Sequence, residues 1–93
     1  MLTPKPTVTI TQKVLDFMIV DIANTDVTTA FNYAIIDSNN QATRKGNFKG
    51  QMVQLRLSHI PDGNYQFMLY QNETLIADIS FEKQSAAFSG TVF

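Results

Sequence analysis

The sequence predicts an all-β antiparallel sandwich of about seven short strands. Three observations predict it. Apolar residues recur with a period of two along nearly the whole chain, and no long stretch follows the 3.6-residue period of a helix. The alternating runs are separated by clusters of Asp, Asn, Ser, Gly and Pro. A Pro-Asp-Gly turn at 61–63 is followed two residues later by Tyr65, at the start of the next-to-last run.

The elements follow in order. "TVTIT" (7–11) places Val8 and Ile10 on one face. "VLDFMIVDI" (14–22) is apolar on both faces; we expect Leu15, Phe17 and Ile19 inside and Met18, Val20 and Ile22 outside. "AFNYAIID" (30–37) alternates Phe31, Tyr33 and Ile35, and "DSNNQ" (37–41) carries turn chemistry. "QATRKGNF" (41–48) is polar and charged, the composition of an edge strand. "GQMVQLRLS" (50–58) directs Val53, Leu55 and Leu57 inward and Met52, Gln54 and Arg56 outward. "NYQFMLYQ" (64–71) directs Tyr65, Phe67 and Leu69 inward and Met68 and Tyr70 outward. After a reversal at "QNET", "TLIADISF" (74–81) places Leu75, Ala77, Ile79 and Phe81 on one face.

Ninety-three residues suit one domain with a single modest core, here expected over 7–83, with 84–93 a tail or an extra strand. Phe88, Val92 and Phe93 favour some burial of that tail. A charged fraction of 16% leaves Asn, Gln, Ser and Thr to cover much of the surface. With a net charge of −1, no global field draws the chain to nucleic acid or an anionic membrane. The absence of cysteine removes disulfides and thiolate metal sites. No apolar run reaches the roughly 18 residues of a membrane span. "MLTPKPTV" lacks the apolar centre of a signal peptide, and we expect Met1 to begin a segment that was exported or cut from a larger protein.

Pro61 presets φ for a turn, and Gly63 permits a backbone conformation that other residues resist. A tyrosine placed like Tyr65 in an immunoglobulin-like sandwich turns its ring inward and bonds its hydroxyl to backbone just upstream. The fold expected is therefore the immunoglobulin-like antiparallel β-sandwich. Pro61, Gly63 and Tyr65 are its structural turn and corner.

These residues also carry a family resemblance. "MVQLRLSHIPDGNYQFMLYQNETLIADISFEK" resembles the second half of the C-terminal sorting domains of surface proteins from Bacteroidota-type bacteria. Leu55 and Leu57 make the approach, Gly63 and Tyr65 the Gly-Xaa-Tyr pair, Asn72 the hairpin and Lys83 the final lysine. "NYAIIDSNNQATRKGNF" is similar to the earlier strand pair of that family. The chain is equally similar to small exported immunoglobulin-like domains of such bacteria. It departs from the sorting pattern by lacking an opening Asn-Pro pair and by continuing past Lys83. The resemblance implies a periplasmic, cell-surface or secreted location.

Catalytic chemistry is sparse. The single histidine, His59, stands beside Ser58 without a Gly-x-Ser-x-Gly elbow, and the four glycines form no phosphate loop. We expect no enzyme, no cofactor and no metal. Asp16, Asp21, Asp26 and Asp37 offer oxygens but not the spacing of a calcium loop. The opposing basic segment, Arg44, Lys45, Lys49 and Arg56, has only Phe48 as a nearby aromatic, which argues against nucleic-acid binding. "NET" at 72–74 is a glycosylation acceptor pattern only in a eukaryotic secretory pathway.

What remains is apolar surface. Met18, Val20, Ile22, Met52, Met68 and Tyr70 are expected to form an outer patch that takes a protein partner or a second copy. The function expected is a non-catalytic interaction, docking or sorting module of an exported or cell-surface protein. The alternative is a carbohydrate- or ligand-binding accessory sandwich, for which Tyr70 is the candidate aromatic.

Overall fold

The computed structural model describes residues 6–85. They form eight strands: β1 (Thr7–Ile10), β2 (Lys13–Val14), β3 (Phe17–Ala23), β4 (Ala30–Ile36), β5 (Ala42–Lys49), β6 (Met52–Arg56), β7 (Gly63–Gln71) and β8 (Thr74–Lys83). Two sheets pack as a sandwich, ordered β1-β3-β6 and β2-β8-β7-β4-β5. Every pairing is antiparallel except the short β2–β8 contact, which is parallel. The all-β class expected from the period-two pattern is the class observed. Residues 86–93 of the expected tail lie outside the described residues.

The additional strand comes from the run read as one strand over 14–22. Residues 13–14 pair with Glu82 and Lys83 of β8, and the chain bends at Leu15 and Asp16 into the other sheet as β3. The bend is pinned by the Leu57 amide, which donates to the Asp16 carbonyl at 2.7 Å. The Gln84 amide donates to the Val14 carbonyl at 2.8 Å, which extends the short parallel ladder between β2 and β8.

The expected faces of this run are reversed. Met18 and Val20 are fully buried and Ile22 is 3% exposed, whereas Leu15 and Phe17 are each 47% exposed. Both faces of β3 are apolar, so alternation alone does not choose between them. Asp21 decides, because a carboxylate in mid-strand must meet water and takes Phe17 and Ile19 outward with it. Asp16 shares the parity of Met18 but sits on the bend and does not count. Register confirms the inner set: Met18 faces Leu55 and Val20 faces Val53.

Aromatic packing fills the centre. Tyr33 stacks on Phe67 with centroids 5.8 Å apart, Phe31 meets Phe48 at 5.5 Å, and Tyr65 stacks on Phe81 at 5.5 Å. Tyr33 lies across Gly46, its register partner on β5. A Cβ at Gly46 would fall 2.8 Å from that ring, so this strand position tolerates only hydrogen.

Leu75 is a second correction. A register shift opposite Leu69 and Tyr70 skips Ile76, so Ala77, Ile79 and Phe81 face inward while Leu75 pairs with Tyr70 and is 45% exposed. The polar run 42–49 does form an edge strand, β5. Its Arg44 reaches across the open side of the sandwich and donates from Nη1 to the Arg56 carbonyl.

Candidate functional site: a stapled corner and two outer faces

The loop between β6 and β7 gathers the residues singled out around the turn. The Tyr65 hydroxyl donates to the Pro61 carbonyl at 2.6 Å, four residues upstream. Gly63 has a φ of 151°, which side chains resist, so the turn depends on glycine for its backbone conformation rather than for space. Asp62 then ties the loop to the end of β8. Its carboxylate accepts a 2.7 Å hydrogen bond from the Ser85 hydroxyl and lies 3.7 Å from the Lys83 ammonium. Lys83 is buried, with its amine also donating to the Gln84 carbonyl at 3.3 Å. The Ser85 bond, ahead of the Lys83 charge, holds the Asp62 pKa below the ordinary carboxylate value. Burial, with smaller contributions from Asp37 and Asp62, pushes the Tyr65 phenol up. A buried neutral phenol bonded to a carbonyl is a structural peg, not a proton donor for chemistry.

The other chemistry-bearing groups are dispersed. His59 is exposed on the same loop, and the Ser58 hydroxyl accepts from Arg56 Nε at 3.1 Å. Asp26 caps the turn after β3: one oxygen accepts the amides and hydroxyls of Thr28 and Thr29 at 2.8–3.0 Å. Those bonds, the Thr28 hydroxyl first, lower its pKa. Asp37 folds the β4–β5 turn by accepting the Asn39 and Gln41 amides. β4 separates Asp26 from Asp37, and Asp21 lies in mid-strand. Among the described residues no three His, Cys, Asp or Glu side chains come together to hold a metal ion.

The structure does not bring the expected interface residues together. Met18, Val20 and Ile22 are core. Met52 stands on the outer face of the three-stranded sheet, opposite Asp21 and 60% exposed. Met68 and Tyr70, half-buried, stand on the outer face of the five-stranded sheet, on the far side of the molecule. The apolar strip that does meet water is Phe17 and Ile19 with Met52, next to Leu15. Its signal in the sequence was Asp21, two residues beyond Ile19.

The five-stranded sheet carries a trough along β4. Register sets its rows: Asn47, Asn32 and Tyr70; then Lys45, Ala34 and Met68; then Ala42, Ile36 and Gln66. Two depressions, of about 560 and 710 Å³, occupy it and meet at Ile36 and Asn40. Periodicity directs Met68 and Tyr70 to this face but says nothing of the small Ala34 between Lys45 and Met68, which lowers the floor.

No family model matches the chain, and no curated protein or solved structure is significantly similar to it. Among the described residues no helix is long and apolar enough to cross a membrane.

Proposed function

We propose that this chain is an immunoglobulin-like, non-catalytic docking module of an exported or surface-associated protein. The observation that carries the reading is the strip of Phe17, Ile19 and Met52. It is built on strands of a sheet whose other face is core, so the backbone that presents these side chains, between their cross-strand partners Arg56, Gln54 and Asp21, is fixed. A protein that presents rigid apolar side chains to water gains by covering them, and methionine adapts to a partner's contour. The resemblance of the 52–83 run to bacterial sorting domains, and the bond of Tyr65 to Pro61, support the family side of this reading.

A reporter assay tests it. Residues 1–93 are fused behind a signal peptide and a fluorescent protein in a bacterium with the matching outer-membrane secretion machinery. Reporter on the cell surface, lost with Phe17→Asp or Met52→Asp in a chain that keeps its melting temperature, is the expected result. Reporter held in the periplasm discards sorting, and surface delivery indifferent to both substitutions discards this face as the docking site.

A further inference from the structure

We propose that the trough on the outer face of the five-stranded sheet binds a neutral oligosaccharide. The inference deepens the reading of the chain as a non-catalytic binding module. It assigns a ligand class to the face opposite the docking strip.

The floor and walls differ in chemistry. Ala34, Ile36 and Ala42 make an apolar floor, Met68 stands beside Ala34 on β7, and Tyr70 adds a half-buried aromatic ring at one end. Asn32 and Asn47 wall that end, Asn40 stands where the two depressions meet, and Asn64 and Gln66 wall the other end. Among the described residues no side-chain hydrogen bond occupies Asn32, Asn40, Asn47 or Asn64, so these amides face solvent with donors and acceptors both open. A pyranose has the matching anatomy. Its C–H face suits an apolar floor and an aromatic ring, and its rim of hydroxyls, each donor and acceptor, suits amide side chains. Each depression, at about 560 and 710 Å³, falls in the size range of small-ligand sites.

The same features disfavour other occupants. Lys13 and Lys45 are offset in the lining by Asp37 and Glu82, so the trough offers no net field to a polyanion. An extended peptide binds a sheet through unpaired backbone at an edge. The trough lies on the sheet face over β4, β7 and β8, where β4 is paired on both sides by β5 and β7, and β7 by β4 and β8. Side-chain recognition of an uncharged, hydroxyl-rich ligand is what this face is equipped to do.

The test is a glycan array probed with the intact 93-residue chain, followed by calorimetric titration with the strongest neutral oligosaccharide found. The expected result is saturable binding that is insensitive to salt. Tyr70→Ala and Asn47→Ala each weaken it by about tenfold or more. Phe17→Ala and Met52→Ala on the opposite sheet leave it unchanged. Asn47 is exposed on an edge strand, so its variant reads the site even if Tyr70→Ala disturbs folding. Failure of every neutral glycan to bind overturns the proposal. So does binding indifferent to both trough variants, or binding confined to acidic glycans and abolished by salt. None of these outcomes touches docking through Phe17 and Met52, which the surface reporter decides separately.

Discussion

Single residues set the tension of this fold at its turns. Tyr65 does so by one hydroxyl. Tyr65→Phe keeps the ring stack with Phe81 but strips the Pro61 carbonyl of its donor. We expect a loss of about 1 kcal/mol in chemical denaturation, the net worth of one such bond. An unchanged stability would mean that water replaces the phenol without cost. The β7–β8 turn is strained in the opposite sense. Asn72 and Glu73 are its two central residues, with φ of 51° and 67°, which is the left-handed pair of a type I′ hairpin. Asparagine tolerates that region and glutamate does not. Glu73→Gly is expected to stabilise the protein by about 0.5–1 kcal/mol, less whatever flexibility glycine adds to the unfolded chain. A destabilised variant would show that the Glu73 side chain holds contacts worth more than the strain. At this scale the sequence was legible wherever chemistry is local. Pro61, Gly63 and Tyr65 announce their turn, and Asn72 marks the hairpin, but nothing in an Asn-Glu pair advertises a positive φ at the glutamate.

Elements were legible in order, but the bend at Leu15 and Asp16 split one expected strand into two, and facing was not always legible. The period-two pattern locates strands because backbone pairing imposes it. It assigns a face only when one side is polar, as in β7, where Gln66 opposes Tyr65 and Phe67. β3 is apolar on both sides, and its facing is set by Asp21 and by pairing with Leu55 and Val53, partners some 35 residues away in the chain. β8 was misread for a different reason, since skipping Ile76 breaks the parity within one strand. The facing of β3 makes a sharp prediction about neighbours in sequence. Met18→Ala should cost about 2–5 kcal/mol, because it opens a cavity at a fully buried position of the core that also holds Leu57 and Leu69. Phe17→Ala, one residue away and half-exposed, should cost under about 1 kcal/mol. Urea denaturation of the two variants checks this, and equal losses would contradict the observed facing. The trough was illegible for a related reason: it depends on which small residue lies between which large ones across three strands.

For the whole molecule, charge acts mainly through two carboxylates and one phenol that tie loops to the sandwich. Asp26 holds the β3–β4 turn and Asp62 holds the β6–β7 loop to the end of β8, and both have pKa values lowered below 3.8. A lowered folded pKa means that folding favours the ionised form. The stabilisation is therefore complete above about pH 4 and is lost as pH falls through the depressed folded values. Tyr65 acts at the other limit. Its pKa is raised above 10.0, so the neutral phenol is favoured by folding. That contribution is complete below about pH 10 and is lost as pH rises through the folded value, where the ionised phenolate can no longer donate to Pro61. Thermal unfolding followed across pH should thus show a plateau bounded by an acid fall and an alkaline fall. The double variant D26N/D62N isolates the acid limb, since an amide keeps one acceptor oxygen but cannot titrate. Its melting temperature should lie below that of the parent at neutral pH, and the two curves should converge as pH falls through the depressed folded values and the parent carboxylates protonate. Tyr65→Phe should remove the alkaline difference and leave the acid limb as it was. Parallel curves for parent and double variant throughout the acid range would show that other carboxylates govern acid unfolding. The loops would then be held by their backbone bonds, such as Ile60 N–H to the Leu57 carbonyl, rather than by charge.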